Sequence, residues 1–455
     1  MIRRLIARLL PGKGKAGGAP RVYGRHDHPV RQTAISHGAL QVTRRLQEAG
    51  FKAFIVGGAV RDLLLGIEPK DFDIATDARP EDVKPLFRRA YLIGRRFRLV
   101  HVHVGAETIE VSTFRAAQTG DDATDEHGRL LSDNVYGTQA EDAARRDFTI
   151  NALYFDPATE EVWDFVGGVA DIRARRLKLI GPPTTRYRED PVRMLRAVRL
   201  AAKLGVAIEP KTAAPISKLA SLMANVPPAR LFDEMQKLLL SGHAVETVRS
   251  LRAHGLSHGL LPLLDVILEQ PLGQRFIDLA LANTDERVRE DRGVSPGFLF
   301  ATLLWHEVLA TWNASLARGD KAIPALFEAM DLVLERQAKQ IAIPRRFEAT
   351  IKEIWGLQPR FLQRSGQRPF RLLEHPRYRA AWDFLALRCA SGEFEGEEAG
   401  IADWWERFAA APQAEREAML RPDEGPKKKR RPRGRGRRRE DAGAPVPPDA
   451  GPAPE

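Results

Sequence analysis

Two aspartates separated by a single residue are the first candidates for chemistry in this chain. Asp71 and Asp73 flank Phe72 in a short run that predicts a strand. Alternate residues of a strand point to the same face, so both carboxylates would project together while Phe72 packs into the core. Proteins hold Mg²⁺ with one or two such carboxylates plus substrate phosphates. Taken alone, the pair also fits a solvated polar strand face.

A glycine pair lies upstream of these aspartates. Gly57 and Gly58 stand between a predicted strand and a predicted helix. Glycines at such a turn let the backbone approach a phosphate, and a helix N-terminus offers free N–H groups and the positive end of the helix dipole. Arg61, one turn into the helix, could reach a triphosphate. A tight strand–helix turn without a ligand is the alternative interpretation.

Two further stretches carry polar residues that suit nucleotide chemistry. Glu110 lies on the second strand of a predicted hairpin, where a third carboxylate could complete a metal site or activate an attacking hydroxyl. In the stretch that begins at Arg145, the guanidinium of Arg146 suits phosphate or ribose. Asp147 could bind ribose or support a metal, and Asn151 could bind base, sugar or phosphate. Glu110 could instead be a charged residue at an exposed strand position without a ligand. Residues 145–151 could instead be the polar start of a buried strand.

The fourth stretch begins a predicted helix. Glu189 and Asp190 precede Pro191, which fits the first helical turn with Asp190 as the N-cap. Arg193 and Arg196 lie on the basic face of this helix. A carboxylate can accept from the adenine amino group while an arginine donates to a ring nitrogen, so the set could recognise a base edge. A capped amphipathic helix without a ligand is also compatible.

These motifs occur in the order of a known series. The chain has Gly-Gly-Ala-Val-Arg-Asp at 57–62, Asp-Phe-Asp at 71–73, Arg-Arg-Asp-Phe-Thr-Ile-Asn at 145–151 and Glu-Asp-Pro-Val-Arg at 189–193. Together they resemble the motifs of class II nucleotidyltransferases of the DNA polymerase β superfamily. That group contains bacterial poly(A) polymerases and tRNA CCA-adding enzymes. The resemblance covers roughly residues 30–410.

Strand and helix patterns alternate up to about residue 182, and helical periodicity dominates from about residue 190. With the resemblance, this predicts an α+β fold: a polymerase-β-like head with a mixed sheet, an all-helical body and a disordered basic tail. Residues 116–144 read mainly as a mobile loop. The predicted units are a flexible basic arm, the catalytic head, a nucleotide-recognition and RNA-binding neck, the body and the tail, at residues 1–32, 33–182, 183–270, 271–412 and 413–455.

Residues 92–101 help to distinguish the two kinds of enzyme in this family. Their sequence, Leu-Ile-Gly-Arg-Arg-Phe-Arg-Leu-Val-His, resembles a segment of the poly(A) polymerases, whereas CCA-adding enzymes usually lack the double-basic run before the aromatic residue. Residues 227–232, residues 372–376 and the basic tail also resemble poly(A) polymerases. In the same hairpin, His101 and His103 alternate on one strand face. A metal site there would need further ligands that this stretch does not supply.

The positive charge of the chain is concentrated at its ends. The net charge is +11, and residues 427–439 hold ten Lys and Arg with no acid. Residues 1–31 are also basic, which leaves the middle of the chain nearly neutral. A low-complexity basic tail predicts disorder and salt-sensitive, sequence-independent RNA affinity. Its candidate RNA-binding residues are Lys427, Lys428, Lys429, Arg430 and Arg431.

The resemblance implies an activity: template-independent transfer of AMP from ATP to RNA 3′ ends, with release of pyrophosphate, as in RNA 3′-end processing and mRNA turnover. Asp71, Asp73 and Asp147 would be the catalytic residues. In a two-metal mechanism, Asp71 and Asp73 would hold two Mg²⁺ ions, or Mn²⁺ as an alternative, with Glu110 as a further carboxylate. The residues expected to bind ATP are Gly57, Gly58, Arg61, Arg146, Asn151, Glu189, Asp190, Arg193 and Arg196.

Two other functions stay open at this point. A tRNA CCA-adding enzyme would carry the same motifs, and an inactive RNA-binding protein could use the basic ends alone. The intact pair Asp71 and Asp73 argues against the inactive protein. The expected partners are RNA 3′ ends and ATP, and the sequence does not identify partners among RNA-decay proteins. The single cysteine, Cys389, and the lack of an apolar run that could span a membrane fit a cytoplasmic protein.

Overall fold

The structure is a computed structural model that describes residues 19–94, 98–116, 135–256, 271–338 and 343–422. Several of the predictions made from the sequence lie outside these residues. They concern the tail residues Lys427 to Arg431, the basic pair Arg95 and Arg96, and most of the loop predicted over 116–144.

An eight-stranded mixed sheet forms the core of the N-terminal half. Its strands are β1 (Arg21–Tyr23), β2 (Ala53–Val56), β3 (Asp73–Thr76), β4 (Ala90–Ile93), β5 (Leu99–Val104), β6 (Glu107–Thr113), β7 (Leu153–Asp156) and β8 (Glu161–Asp164). They lie in the order β1-β8-β7-β2-β3-β6-β5-β4. β3 and β6 are parallel, whereas the other neighbouring strands of this sheet are antiparallel. A small parallel pair is formed by β9 (Arg176–Leu177) and β10 (Ala207–Ile208).

The two faces of the large sheet have different roles. The helices of this half are α1 (His37–Glu48), α2 (Gly58–Leu64), α3 (Pro80–Val83), α4 (Gln139–Arg145) and α5 (Gly168–Arg173). α1 buries Ala39, Val42 and Leu46 in the cluster that also contains Ile74 of β3. Because alternate strand residues face opposite sides, Asp73 and Ala75 point to the other face. That other face carries the candidate site.

Helices make up most of the remaining chain. They are α6 (Pro183–Glu189), α7 (Val192–Leu204), α8 (Pro210–Ala213), α9 (Ile216–Leu219), α10 (Pro228–Leu239), α11 (Ala244–Ala253), α12 (Pro271–Arg289), α13 (Pro296–Ala317), α14 (Ala322–Ala338), α15 (Arg345–Phe361), α16 (Arg368–Leu373), α17 (Tyr378–Ser391), α18 (Ile401–Ala410) and α19 (Gln413–Ala418). Buried Trp305 of α13 donates from its indole N–H to Glu393, at 3.0 Å. None of the helices in the described ranges combines the length and hydropathy that a membrane crossing requires.

The predicted α+β fold class, with a mixed-sheet head and a helical body, is confirmed, although its disordered tail lies outside the described residues. Three segments differ from the prediction. Part of the arm predicted over 1–32 forms β1, an edge strand too short for its alternation to show in the sequence. Part of the loop predicted over 116–144 forms α4. The tail predicted from 413 begins with α19, where Arg416 donates to the carbonyls of Phe408 and Ala409. The boundaries at 182 and 270 stay predictions.

Candidate active site

The predicted metal carboxylates lie where β3 begins. Asp73 is the first residue of β3, and Asp71 precedes the strand by two positions. Strand register places Glu110 of β6 directly beside Asp73. A recess of about 300 Å³ opens at this point, and Asp73, Glu110 and Arg146 are among its lining residues. The parallel pairing of β3 with β6 therefore brings together residues that are far apart in the sequence.

Burial and crowding of negative charge together raise the pKa of Asp73 to about 6. Burial of the carboxyl group contributes most to this rise, the charges of Glu110 and Asp71 add to it, and the Arg146 guanidinium opposes it. Asp73 lies at the mouth of the recess, where Glu110 also lines the wall. Carboxylates that repel one another in this way fit a bound divalent cation.

The carboxylates do not form a complete metal cage by themselves. Within the ranges that the structure describes, no group of three or more His, Cys, Asp or Glu side chains is arranged to hold a metal ion. Mg²⁺ commonly binds through one or two carboxylates together with substrate phosphates and water. Asp71 and Asp73 therefore fit a metal that is completed by the nucleotide.

Arg146 is fixed in the recess by two residues that the sequence motifs did not single out. Its Nε donates to Asp142 Oδ2 at 3.0 Å and to the Tyr154 hydroxyl at 3.2 Å. The Tyr154 hydroxyl in turn donates to Asp142 Oδ2 at 2.7 Å. Burial would lower the pKa of Arg146, but Tyr154 and Asp142 together raise it above its ordinary value. Arg146 is thus held as a cation beside the carboxylates.

The sequence contained a signal for this support. Asp142 and Arg146 are four residues apart, the spacing at which side chains meet on a helix. Thr138 and Glu141 form a capping box that begins α4, and the pattern Thr-x-x-Glu can be read from the sequence. The interpretation of 116–144 as a loop hid both features.

The turn at Gly57 requires glycine. Its φ of 75° and ψ of −124° form a backbone conformation that other residues rarely adopt. A Cβ here would lie at ordinary contact distances, 3.5 Å from Nη1 of Arg146 and 3.7 Å from the carbonyl oxygen of Asn151, so the backbone conformation is what selects glycine. The predicted strand–turn–helix arrangement is confirmed. The contact of Gly57 and Gly58 with phosphate stays a prediction.

A chain of hydrogen bonds runs from α2 to α7 through the predicted ATP-binding residues. Buried Arg61 donates through Nε to Asp62 Oδ1 at 2.8 Å and through Nη1 to Asn151 Oδ1 at 2.6 Å. Asn151 donates to Asp147 Oδ1 at 3.1 Å. Asp147 Oδ2 accepts from Nε and Nη2 of Arg196 at 3.0 and 2.5 Å. The structure therefore directs Arg61 toward Asn151, and its predicted contact with the triphosphate stays untested.

Asp147 is a fully bonded carboxylate at the centre of this chain. Besides Asn151, its Oδ1 accepts from the Phe148 amide at 2.7 Å. Burial would raise its pKa, but Arg196 and the Asn151 and Phe148 donors outweigh burial and lower the pKa to about 2. In this structure both oxygens of Asp147 bind protein donors, which gives it a positioning role. Its predicted contact with metal or ribose stays a prediction.

A second cluster contains the residues predicted to select the base. Oε2 of Glu189 accepts from Nη1 of Arg186 at 2.7 Å and from Nη1 of Arg193 at 3.0 Å. Oδ2 of Asp190 accepts from Arg230 of α10 at 2.8 Å, whereas the buried Oδ1 has no hydrogen-bond partner. The predicted contact of the Asp190 carboxylate with an adenine amino group stays a prediction.

The N-cap prediction for Asp190 is wrong. Asp190 follows the last residue of α6, and Pro191 is the N-cap of α7, with no side-chain cap bond. The carboxylate bonds Arg230 instead, 40 residues away in sequence, a partner that local spacing could not identify. Tertiary contact has therefore overridden the local capping preference.

Replacing Arg230 with Ala should loosen base selection. Asp190 would lose the donor that orients its carboxylate, so we expect a higher ATP KM and weaker discrimination between ATP and CTP. Steady-state incorporation with each nucleotide measures both effects. Lys237→Ala is the matched control, because Lys237 lies on the same helix but pairs with Glu234. Equal nucleotide discrimination in the two variants would contradict the positioning role of Arg230.

Three family profiles match the chain. The poly A polymerase head domain matches residues 53–178. The probable RNA and SrmB-binding site of polymerase A matches residues 205–268. The arginine-rich C-terminus of polymerase A matches residues 318–440. The head-domain match includes Gly57, Asp71, Asp73, Glu110 and residues 145–151, whereas residues 189–196 fall between two matches. The third match extends into the basic tail.

Full-length comparison decides the family. Poly(A) polymerase I of Escherichia coli O6:H1 is 44% identical over 455 residues, which covers 96% of this chain and 97% of that protein. The chain belongs to the bacterial poly(A) polymerase family. The poly(A) polymerase I of Haemophilus influenzae is 45% identical over 404 residues, covering 85% of this chain and 87% of that one. Membership in this nucleotidyltransferase family implies the use of a divalent metal.

CCA-adding enzymes share the fold and part of the sequence of this poly(A) polymerase family member. The Bacillus pumilus enzyme is 38% identical over 214 residues, which covers 47% of this chain and 52% of that one. The crystal structure of the Bacillus stearothermophilus CCA-adding enzyme in complex with CTP matches with a TM-score of 0.54 at 28% identity, covering 82% of each chain. The Thermotoga maritima enzyme complexed with tRNA, at 18% identity and a TM-score of 0.55, covers 83% of this chain and 84% of that one and supports the fold alone.

Proposed function

We propose that this protein adds AMP from ATP to RNA 3′ ends without a nucleic-acid template. The observation that carries nucleotidyl transfer is the convergence of Asp71, Asp73 and Glu110 beside the fixed cation Arg146. The choice of adenylation is supported by poly(A) polymerase I relatives that match nearly the whole chain, whereas the CCA-adding enzyme of Bacillus pumilus matches about half of it.

Each residue group would act on a different part of the reaction. Asp71 and Asp73 would hold Mg²⁺, with Mn²⁺ as the alternative, and Glu110 would stand beside them. Two metal ions bound there would supply separate chemistry: one would lower the pKa of the RNA 3′-hydroxyl, and the other would stabilise the departing pyrophosphate. Arg146 would offset the negative charge that the nucleotide brings into the recess.

Base selection would use the cluster at the start of α7. The Asp190 carboxylate would accept from the adenine amino group, and Arg193, held by Glu189, would donate to a ring nitrogen. Cytosine also carries an amino group, so the orientation of Asp190 by Arg230 would decide how well CTP is excluded. The hydrogen-bond chain through Asp147 would hold α7 in a fixed position relative to α2 of the head.

Nucleotide incorporation tests this proposal against the CCA-adding alternative. The purified protein is given either a tRNA that lacks its CCA end or an unrelated RNA, with ATP and CTP. We expect long A tails on both RNAs from ATP alone. Efficient CTP incorporation that stops after three nucleotides on the tRNA would establish the CCA-adding activity instead. RNA binding without metal-dependent incorporation would indicate an inactive RNA-binding protein.

Deleting residues 427–455 should weaken RNA binding most at moderate salt and spare the chemistry of a single addition. The ten Lys and Arg of residues 427–439 would release counterions from the phosphate backbone, so their loss should flatten the dependence of log Kd on log salt concentration. RNA affinity measured over a salt series tests this. Deleting only residues 440–455 is the control, and equal slopes for the two deletions would contradict a role for the basic run.

The remaining expectations concern location and partners. We propose that RNA 3′ ends and ATP are the substrates of this chain and that it works in the cytoplasm. Pull-down of the wild-type protein and of the 427–455 deletion, with and without ribonuclease, would separate protein partners from proteins bridged by RNA.

A further inference from the structure

One face of the sheet continues from the carboxylates to its free edge. Strand register places Asp73 opposite Glu110, Glu110 opposite His101, and His101 opposite Tyr91. Registered partners on neighbouring strands share a face, so these four side chains form one row across β3, β6, β5 and β4. At about 4.8 Å per strand, the row runs about 14 Å from Asp73 to Tyr91.

The far end of this row is aromatic and exposed. Tyr91 is 52% exposed, and Ile93, two residues later on the same face, is 42% exposed. The ring of His103 lies edge-on to Tyr91, with ring centroids 5.3 Å apart. The Thr108 hydroxyl lies 2.9 Å from Nδ1 of His103 and fixes that ring. On the opposite face of β5, Val102 is buried in the core.

An exposed tyrosine and imidazole on a sheet face form a surface on which single-stranded RNA bases stack. The RNA 3′-hydroxyl has to reach Asp73 for nucleotidyl transfer, so the preceding nucleotides must leave the recess along a path that begins there. The row across the sheet is such a path, because it is continuous with the carboxylates. The alternative occupant is a strand of another protein that pairs with the edge of β4. Such a strand would bind through backbone hydrogen bonds and would not require this alignment of side chains.

We propose that Tyr91 and His103 form a stacking platform for the last nucleotides of the RNA primer. The inference rests on the proposed function, since it specifies how the RNA substrate of that reaction is held. Stacked bases rise about 3.4 Å each, so a 14 Å row spans about four nucleotides. The platform would therefore contact the RNA within about four nucleotides of its 3′ end.

Photo-crosslinking locates the RNA on the full-length protein. RNA primers carry 4-thiouridine at one of the last four positions, and crosslinked peptides are identified by mass spectrometry. We expect crosslinks to peptides that contain Tyr91 or His103. Crosslinks confined to segments outside β4 and β5 would overturn the proposal. The crosslinking result is readable even if the protein adds no AMP, which separates failure of the platform from failure of the proposed function.

Kinetics of matched variants test the stacking contact. Loss of one stacked base should raise the primer KM of Tyr91→Ala by about 5- to 100-fold with the ATP KM unchanged. Tyr91→Phe keeps the ring and should restore most of the primer affinity. Leu92→Ala is the control, because Leu92 is 42% exposed on the same strand but faces the opposite side. Equal effects of Tyr91→Ala and Leu92→Ala would overturn the platform and favour protein docking on this edge.

Discussion

Replacing Asp73 with Asn should reduce AMP incorporation by about a thousandfold or more, because the carboxylate that would hold the metal is lost. At pH values above 6, the same change should raise the thermal unfolding midpoint of the metal-free protein. An amide at this position removes the repulsion among Asp73, Glu110 and Asp71 without changing the size of the side chain. A substitution that stabilises the fold while it removes activity is the signature of a strained functional site.

The pH dependence of this stabilisation has a defined sign. Folding raises the pKa of Asp73 to about 6, so the folded protein binds the proton more readily than the unfolded chain. The cost of ionising Asp73 is therefore absent below about pH 4 and develops as the pH rises through about 6. The stabilisation of Asp73→Asn should follow the same course. Thermal unfolding from pH 4 to 8 in a chelator measures it. In samples without chelator, added Mg²⁺ should stabilise the wild type but not Asp73→Asn.

Asp77→Asn is the matched control for Asp73. Asp77 directly follows the other end of β3, and its carboxylate accepts from the Lys52 amide at 2.8 Å, away from the recess. This variant should keep activity and gain no stability at high pH. Near-normal activity of Asp73→Asn, or equal Mg²⁺ stabilisation of both variants, would contradict the assignment of Asp73 as a metal carboxylate.

Replacing Asp147 with Asn should disturb both the fold and ATP binding. Oδ1 of Asp147 accepts from Phe148 and Asn151, and Oδ2 accepts from Arg196. The asparagine amide has one acceptor oxygen, so its NH₂ group would face either the Arg196 donors or the Phe148 and Asn151 donors. Loss of the ion pair between Asp147 and Arg196 should cost about 2 to 4 kcal/mol of folding free energy. The cost is at the lower end for a buried pair because Arg196 keeps partial access to water. We also expect a raised ATP KM, since the chain from Arg61 to α7 is interrupted.

Asp171→Asn separates the positioning role of Asp147 from a general loss of stability. Buried Asp171 accepts from exposed Arg176 and from the Thr149 hydroxyl, so this substitution also removes a buried carboxylate that is paired with an arginine in the head. It lies outside the chain that links Arg61 to Arg196. Urea unfolding should show comparable losses for the two variants. If the ATP KM rises equally in both, Asp147 has no specific role in nucleotide positioning.

Local patterns predicted the elements that carry the site. The Gly57 turn, the hairpin of β5 and β6, and the helix that begins at Val192 are confirmed. The strand predicted to carry both Asp71 and Asp73 is present, but it begins at Asp73 and leaves Asp71 in the segment that precedes it. Each depends on neighbouring residues: glycine at a positive φ, alternation in strands, and the 3.6-residue period of a helix. The ordered motifs placed on these elements then predicted the nucleotidyltransferase family.

Contacts between distant parts of the chain were not predicted. The parallel pairing of β3 with β6, which brings Glu110 beside Asp73, depends on the order of strands in the sheet. The bonds from Arg196 to Asp147 and from Arg230 to Asp190 join residues at least 40 positions apart. Motif residues expected to touch ATP therefore turn out to bind one another in the structure. Only tertiary packing defines such partners.

Sequencing of the RNA 3′ ends made by the wild type and by Asp73→Asn is the most direct test of the proposed activity. An RNA unrelated to tRNA is incubated with Mg²⁺ and all four nucleoside triphosphates, and the added nucleotides are read individually. We predict runs of A on the wild-type products and unextended ends with Asp73→Asn. Additions of C followed by A that stop after three nucleotides, or extension by both proteins alike, would contradict template-independent adenylation at the Asp71 and Asp73 site.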